Sequence, residues 1–238
     1  MSNPKKARDF VALLRSGRWF GGLAPEVQDD LLALAVVKTL APEETLFLRG
    51  AEPDGLYAVV DGSVRICGRT DAGKEVLLTV IDPPGWFGEI AVFDGDVRTH
   101  DAIAQVETTV ILVPQVPLLA MLAANPPRWR DLAMLLATKL RLVFAMVEDT
   151  VALPLKTQLA RRVLSLARVH GEWDDRSRRV LSVGQEQLAT MLGTSRQTVN
   201  AILKDFAAKG LLRASYGRIE LLDFEGLRVA AEEATLGG

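Results

Sequence analysis

The chain is poor in the residues that build redox and metal sites. It contains one cysteine, Cys67, among 238 residues, so it can form no intrachain disulfide bond and cannot supply four cysteines to an iron–sulfur cluster. A haem ligand would have to be Cys67, which we expect in the core, or His100. The histidines lie far apart and no metal-ligand spacing occurs, so we expect no metal site. The scarcity of cysteine also fits a reducing compartment, and we expect a cytoplasmic protein.

The sequence also lacks the patterns of a membrane protein or of a common enzyme. No apolar run reaches the length of a transmembrane helix, because Lys139 and Arg141 interrupt the longest candidate, Leu132–Val147. The first residues, MSNPKKARDF, have no apolar core, so we expect no signal peptide. Neither a G-x-S-x-G motif nor a Walker loop is present. We therefore expect no catalytic residues and no membrane partner.

The composition favours a globular chain in two parts. Apolar residues make up 49% of the sequence, which is enough for sizeable cores. The net charge of -2 is unevenly distributed: residues 155–238 hold 13 basic and 10 acidic side chains, against 15 and 20 in the residues before them. An acidic N-terminal part and a mildly basic C-terminal part fit a sensor that is joined to a DNA-binding unit.

The clearest motif is a helix-turn-helix in Gln185–Ile202. The small Ala189 lets two short helices cross closely, and Gly193 supplies the left-handed residue that the tight turn needs. Ser195 is a favourable N-cap for the second helix. Four apolar residues form the seam between the helices: Leu188, Leu192, Val199 and Ile202. A helical hairpin in an ordinary core rarely exposes a row of base-reading side chains as well, so the motif indicates DNA binding.

The exposed side of the second helix supplies the expected DNA contacts. They are Ser195, Arg196, Gln197, Thr198, Asn200, Ala201 and Lys204, together with Arg218 from a closing hairpin, or wing, in LLRASYGRIELLD. Arg196 can bond guanine with two N–H groups, Gln197 prefers adenine, and Ala201 can touch a thymine methyl. Arg213 and Arg218 in the wing, which turns near Tyr216-Gly217, are placed to contact phosphates.

Residues 40–113 have the two-residue period of β-strands. Segments rich in Val, Ile and Leu, namely LFLR, LYAVVDGSVRIC, EVLLTVI and TTVILV, alternate with turn residues at regular intervals. Short amphipathic helices are predicted before them over residues 9–36, with a turn near Gly21-Gly22 and a helix that begins at Pro25. The pattern predicts an all-β roll or barrel of short antiparallel strands and, for the whole chain, an α+β fold.

A long helix is predicted from Asn125-Pro126-Pro127 to about Leu153, where Pro154 breaks it and marks a hinge. Its apolar residues recur at spacings of three and four: Trp129, Ala133, Leu136, Leu140, Val143 and Val147. The spacing is that of a coiled-coil seam and favours a parallel dimer, while a second face packs on the roll. We therefore predict a sensor domain over residues 1–125, a dimerisation helix over 126–153 and a winged helix-turn-helix domain over 155–238.

Within the last of these domains, the pattern predicts a helix over residues 155–170 and a loop over 171–179. A strand, Val180–Val183, precedes the helix-turn-helix, and a short helix follows Asp223. Helix, strand, helix-turn-helix and wing together predict a winged helix.

The order of these parts resembles the bacterial transcription regulators of the cyclic-AMP receptor protein and FNR family. Three motifs carry the resemblance over about residues 10–225: Asp54–Val64 (DGLYAVVDGSV), FGEI with Arg98-Thr99, and Gly193–Val199 (GTSRQTV). The resemblance implies a homodimer that binds a pseudo-palindromic operator in double-stranded DNA and works with RNA polymerase. It also implies that ligand in the roll repositions the dimer helix.

The second motif resembles the phosphate cassette that binds a cyclic nucleotide in this family. The implied ligand residues are Gly88, Glu89, Ile90, Arg98 and Thr99. Gly88 permits close backbone approach to a phosphate, and the turn after Glu89 can present a helix N-terminus to it. Arg98 and Thr99 can bond the phosphate oxygens, and Glu89 can accept from a ribose 2'-OH. No cofactor is obligatory, and the implied effector is cyclic AMP or cyclic GMP.

Two parts of the sequence depart from the family pattern. Val143 and Phe144 stand where cyclic-AMP-binding relatives have hydroxyl residues against the base, and Thr138 and Arg141 are the nearest polar side chains. The recognition helix has glutamine and alanine where the receptor protein has glutamate and arginine, so its half-site differs. Three hypotheses stay open: a ligand-controlled regulator, a ligand-independent or differently gated one with a vestigial pocket, and a cyclic-nucleotide-binding regulatory subunit that docks protein.

Overall fold

The computed structural model of the chain describes residues 6–69, 73, 75–167, 180–181, 183–215 and 217–232. The chain divides into two units, Met1–Arg141 and Leu142–Gly238, and each unit has a buried apolar core. Helices and antiparallel sheets occur in both units, which confirms the α+β fold class. The division falls inside the predicted dimerisation helix, and the three predicted domain ranges stay a prediction.

Four short helical segments come first in the first unit. They are a 3-10 helix, Ala7–Phe10, and the helices α1 (Val11–Arg15), α2 (Arg18–Gly21) and α3 (Pro25–Leu34). Pro25 is the first residue of α3, where the N–H that proline lacks would have no helical partner. The predicted helices, the turn after α2 and the start at Pro25 are therefore confirmed.

Two four-stranded antiparallel sheets form the roll. The first contains, in spatial order, β1 (Val36–Leu40), β8 (Thr108–Pro114), β3 (Gly55–Asp61) and β6 (Trp86–Phe87). The second contains β2 (Thr45–Phe47), β7 (Asp101–Ala104), β4 (Val64–Arg69) and β5 (Glu75–Ile81). The roll is confirmed, but the predicted start of the strands was wrong: β1 begins at Val36, inside the region predicted as helical.

Strand β3 is buried on both of its faces. Its side chains alternate between two cores: Leu56 and Ala58 pack with the helices, whereas Tyr57 and Val59 face the core between the sheets. Since both faces of the strand are buried, both carry apolar side chains.

Three helices follow within or after the roll: α4 (Ile90–Asp94), α5 (Gln115–Ala124) and α6 (Arg128–Ala152). The long helix is confirmed as α6, while α5 was not predicted. The first turns of α6 pack on the roll, because Leu132 and Leu135 are buried in its core and the Trp129 ring lies 5.4 Å from that of Phe93. The N-terminal end of the predicted dimer seam thus packs within its own unit.

The second unit is a winged helix. Its elements are α7 (Leu155–Ala167), β9 (Val180–Leu181), α8 (Gln185–Met191), α9 (Arg196–Ala208), β10 (Leu212–Ser215), β11 (Arg218–Leu221) and α10 (Phe224–Glu232). The strands form one antiparallel sheet in the order β10, β11, β9. The helix after Asp223 is confirmed as α10.

Two predictions in this unit need comment. The predicted strand Val180–Val183 was too long, because β9 contains two residues, and Ser182 lies outside the described residues. The end of the helix predicted over residues 155–170, and the loop over 171–179, also lie outside them. Among the described residues, no helix has the length and apolar character that crossing a bilayer requires.

Candidate DNA-binding and ligand-binding sites

Helices α8 and α9 form the predicted helix-turn-helix. Ala189 is buried with 2% of its surface exposed, and its carbonyl accepts a 2.9 Å hydrogen bond from the Thr194 amide in the turn. Gly193 has a φ of +61°, the left-handed conformation that the turn requires. Leu188 and Val199 are fully buried between the helices. The sequence therefore specified this local structure residue by residue.

The recognition helix α9 presents most of the predicted DNA-contacting residues to solvent. Arg196, Gln197, Thr198, Ala201 and Lys204 are exposed, and Asn200 is half-buried. Ser195 is the N-cap, because its Oγ accepts the Thr198 amide at 3.1 Å, and the two hydroxyls lie 2.8 Å apart. Arg196 and Lys204 make no ion pair within the described part of the chain. Both cations are therefore available to an external partner.

The wing consists of β10 and β11, and its two arginines have different environments. Arg213 Nη1 lies 3.0 Å from Glu220 Oε2 on the neighbouring strand, so its charge is already partnered. Arg218 is exposed at the start of β11. Of the predicted wing turn, Gly217 is described and Tyr216 is not. Arg218 is the better placed of the two arginines for a phosphate contact.

Arg98 is the centre of the predicted cassette, and 2% of its side chain is exposed. Its Nη2 donates to Asp54 Oδ1 at 2.6 Å and to the Gly55 carbonyl at 2.7 Å, while Nη1 donates to the Gly88 carbonyl at 3.2 Å. The guanidinium carbon lies 4.4 Å from the centre of the Phe47 ring. Hydrogen bonds and ring contact together hold the cation in one orientation.

Arg98 has N–H donors that its hydrogen bonds to Asp54, Gly55 and Gly88 do not use. A guanidinium has five N–H groups, and the three bonds above use only part of that capacity. Its Nε is buried and has no hydrogen-bond partner among the described residues. Leaving a buried donor unpaired costs about 1–3 kcal/mol. An anion that accepted from Nε and from the second Nη1 hydrogen would remove that penalty.

Gly88 has the conformation and the space that only glycine permits. Its φ is +93°, and a Cβ atom there would lie 2.8 Å from Arg98 Nη1 and 3.1 Å from the Gly55 carbonyl oxygen. Helix α4 begins directly after Glu89 and has only five residues. Because a helix of five residues has only a weak dipole, Arg98 is the stronger candidate for an anion site.

Glu89 is also buried and paired. Its side chain is 3% exposed, and Oε2 lies 2.7 Å from Nζ of Lys139 on α6. The acid that was expected to accept from a ribose therefore already has a cationic partner from the long helix. Any hydroxyl that bonded Glu89 would share this carboxylate with Lys139.

The other predicted ligand residues are less enclosed. Thr99 is exposed and its Oγ1 lies 2.9 Å from His100 Nδ1, and Ile90 is 39% exposed. Val143 and Phe144 are 52% and 58% exposed on α6 and belong to the second unit. The structure brings Gly88, Glu89 and Arg98 together, and a ligand-binding role stays a prediction for all seven residues.

Cys67 and His100 have environments that disfavour their charged forms. Burial and the Glu75 carboxyl raise the pKa of the Cys67 thiol to about 12, so the thiol stays protonated at neutral pH. Burial and the nearby Arg49 lower the pKa of His100. Within the described ranges, no group of three His, Cys, Asp or Glu side chains could hold a metal ion.

Three residues of the cassette were not identified from the sequence: Asp54, Phe47 and Lys139. Asp54 stands at the start of the first motif, but the pattern assigned it only to a turn. Lys139 was noted as a charge that interrupts an apolar run. A charged residue in such a run is a signal for a buried partner, and here that partner is Glu89.

A β-roll with this cassette, a long helix and a winged helix define a DNA-binding regulator with a cyclic-nucleotide-binding domain. Comparison with known proteins agrees in both parts. Residues 37–125 match the cyclic nucleotide-binding domain family. Residues 157–230 match the Crp-like helix-turn-helix domain family.

Individual relatives lead to the same family. The chain is 31% identical over 212 residues to a CRP-like cAMP-activated global transcriptional regulator of Mycobacterium tuberculosis, and the match covers 87% of this chain and 94% of that protein. It is 30% identical over 184 residues to the transcriptional regulator SdrP of Thermus thermophilus, with 77% and 87% covered. A solved CRP/FNR-family regulator from Thermus thermophilus matches with a TM-score of 0.66 and 28% identity, covering 83% of this chain and 98% of that one. The chain belongs to the CRP/FNR family of transcription regulators.

Proposed function

We propose that this regulator binds DNA as a homodimer and that an anionic effector, a cyclic nucleotide such as cyclic AMP or cyclic GMP, binds at Arg98. One observation carries the effector: Arg98 is buried, and its Nε has no hydrogen-bond partner in the part of the chain that the structure describes. A relative from Mycobacterium tuberculosis is described as cAMP-activated, which supports the same chemistry. The phosphate would accept from the free donors of Arg98, while Asp54 and two carbonyls keep the guanidinium oriented.

The Glu89–Lys139 ion pair connects the proposed ligand site with the long helix α6. A ribose hydroxyl that donates to Glu89 would compete with Lys139, which belongs to α6. A ligand shifts a conformational equilibrium only if it binds the two states with different affinity. Weakening the Glu89–Lys139 ion pair on binding provides such a difference, and the position of α6 would respond.

The proposed dimer interface is the outer face of α6. Five large apolar side chains on it are at least half exposed: Leu140, Val143, Phe144, Val147 and Val151. Monomeric proteins rarely leave a continuous apolar stripe of this kind in water. The seam predicted from the sequence ran from Trp129 to Val147. In the structure Trp129 packs on Phe93, so the exposed apolar stripe begins at Leu140, and it continues to Val151.

In the proposed complex, each protomer places α9 in a major groove. The half-sites of the pseudo-palindrome would lie about one helical turn, or 34–36 Å, apart. Arg196 would bind a guanine and Gln197 an adjacent adenine, while Ser195, Thr198, Lys204 and Arg218 would contact the backbone. We place the regulator in the cytoplasm, with RNA polymerase as a further partner.

Calorimetry with cyclic AMP, cyclic GMP and buffer alone tests the effector. We expect one of the nucleotides to bind the wild-type chain, and Arg98→Lys to weaken binding at least tenfold, because lysine keeps the charge but loses the planar set of donors. Losing a charge-assisted hydrogen bond costs about 1.5–3 kcal/mol, which corresponds to this factor. Arg8→Ala, which removes an exposed arginine of the same unit, is the control and should bind like wild type.

A second variant, Arg98→Ala, tests how much Arg98 contributes to the stability of the fold. It removes the Arg98 donors from two carbonyls and from the Asp54 carboxylate, which keeps its hydrogen bond from the Tyr57 hydroxyl. We therefore expect the free energy of unfolding to fall by about 2–4 kcal/mol. This range lies below the full cost of breaking a buried pair because 44% of the Asp54 side chain is exposed. If no cyclic nucleotide at millimolar concentration binds the wild-type chain, the effector proposal is wrong.

A second candidate function is a regulator that needs no ligand. The Arg98–Asp54 ion pair favours it, since the acid already neutralises the cation that a phosphate would approach. This regulator would give no heat with either nucleotide and would bind its operator with the same affinity in their presence and absence. A regulatory subunit that docks protein differs from both, because it would show no salt-dependent binding to duplex DNA.

A further inference from the structure

The last turns of α6 are tied to the winged helix by one arginine of α7. Arg161 Nη1 lies 2.5 Å from Asp149 Oδ1 on α6, and Arg161 Nε donates to the Ala231 carbonyl of α10 at 2.9 Å. One guanidinium therefore joins three helices of the second unit.

The charges at these helix ends explain why the contact forms. Asp149 lies in the last turn of α6, where the helix dipole disfavours an acid and where no basic residue is present. The Ala231 carbonyl lies in the last turn of α10 and accepts the hydrogen bond from Arg161 Nε. A cation is favourable at both places, and Arg161 serves both.

Two neighbours of Arg161 on α7 strengthen the connection. Gln158 Nε2 donates to the Leu153 carbonyl at 2.8 Å, at the end of α6. Arg162 Nη1 lies 3.2 Å from the Met146 sulfur, a weak acceptor. Burial lowers the pKa of Arg162, and the Asp149 carboxylate opposes that shift. Contacts thus cross the junction at Pro154, which the sequence predicted to be a hinge.

We infer that Arg161 is a positioning residue for operator recognition, because it fixes the winged helix on the end of α6 and so sets the spacing of the two recognition helices. The inference rests on the proposed dimer and goes beyond it. Bending would then occur before Asp149 and not at Leu153–Pro154. This agrees with a second unit that begins at Leu142, so that the last turns of α6 belong to the winged helix.

The geometry separates this contact from an ordinary surface ion pair. Exposed pairs contribute little because two long side chains must be ordered in water. The Arg161 and Asp149 side chains are 37% and 22% exposed, and Arg161 is also held by a carbonyl. Arg228 and Glu225 on α10 form a pair that is 49% and 77% exposed, and this pair is the matched control.

The experiment measures the affinity of the full chain for duplexes in which the spacer between two half-sites is lengthened or shortened by single base pairs. The wild type should prefer one spacer. Arg161→Gln should lose about tenfold in affinity for that spacer, as expected when a charge-assisted contact is lost. Its affinity for a duplex with a single half-site should not change, so its preference among spacers should flatten.

Three further variants show whether a change in spacer preference comes from the Arg161–Asp149 contact. Asp149→Asn removes the same contact from the other helix and should flatten the spacer preference as well, while Arg228→Gln should behave like wild type. Arg161→Lys keeps the charge but offers one ammonium group to two acceptors, so an intermediate profile is expected. If Arg161→Gln lowers the melting temperature but keeps the wild-type spacer profile, Arg161 is only structural and the inference is wrong.

Hydrogen exchange separates failure of this inference from failure of the dimer. If the wild type binds two half-sites no better than one, the proposed dimeric mode of DNA binding is wrong. Amide exchange of residues 146–152 in the free protein then tests the contact alone, and it should be faster in Arg161→Gln but not in Arg228→Gln. Equal exchange in all three proteins would contradict the proposed connection itself.

Discussion

The recognition helix and the proposed ligand site each contain a candidate contact arginine, and the two arginines are in opposite states. Arg196 is exposed at the start of α9 and has no ion pair within the described ranges, whereas Arg98 is buried and bonded to Asp54. A DNA-binding surface can leave its cations hydrated, because binding to phosphates then releases counterions. A buried cation has to be paired before any ligand arrives. The proposed DNA complex would therefore give Arg196 its first partners, while the proposed ligand would add to or exchange the partners that Arg98 already has.

The largest expected effect is that of Leu140→Asp, which should weaken DNA binding but not ligand binding. Leu140→Asp places a charge in the proposed dimer seam, where it would be buried, so we expect monomers. DNA affinity should fall by about a hundredfold or more, because two linked half-sites no longer bind together. Ligand affinity should change little, since Arg98, Asp54 and Glu89 lie in one chain. Sedimentation, duplex titration and calorimetry on the same sample measure the three quantities.

The control for this change is Val116→Asp, which replaces an exposed apolar residue in the first turn of α5, outside the seam. It makes a similar apolar-to-acid change and should leave the dimer and the DNA affinity unchanged. A wild-type chain that sediments as a monomer at micromolar concentration would overturn the dimer proposal directly.

The next effect concerns the exposed arginine itself. Arg196→Ala should cost about 1–3 kcal/mol of binding free energy per half-site and flatten the preference at one base position. The free energy of unfolding should change by no more than about 0.5 kcal/mol, because Arg196 is exposed and makes no ion pair with any described residue. This is the opposite of what Arg98→Ala should do. Arg228→Ala is the control, and selection from a random duplex library shows whether the preference at that position survives in Arg196→Ala.

The same contrast shows how much the sequence could predict. The helix-turn-helix depends on local rules, namely a small residue at the crossing, a left-handed glycine and an N-cap, and the structure confirms each at Ala189, Gly193 and Ser195. The roll was also predicted, but its first strand was expected to begin at Leu40 and it begins at Val36, because β1 is short and follows α3 after one residue.

The partners inside the cassette could not be predicted in this way. Asp54 and Arg98 are 44 residues apart, and Glu89 and Lys139 are 50 apart. Only the fold brings such residues together: the apolar run around Lys139 indicates that the lysine has a partner, but no local pattern identifies the partner as Glu89. The contact of Arg161 with Asp149 and Ala231 is a third case, since it joins three helices that the sequence showed as separate elements.

The smallest expected effect tests whether the exposed cations act on DNA by charge alone. Lys204 is exposed on α9, one turn beyond Ala201, and makes no ion pair within the described residues. If it neutralises one phosphate, Lys204→Ala should weaken binding to all sequences alike and lower the salt slope by about one for each half-site. Lys209→Ala is the control from the end of the same helix, where Nζ lies 3.7 Å from Asp205 and the charge is partly satisfied. Its slope should stay closer to that of the wild type. Titrations at several salt concentrations with a specific and a random duplex measure both variants, and a sequence-dependent loss for Lys204→Ala would show that this lysine contacts a base.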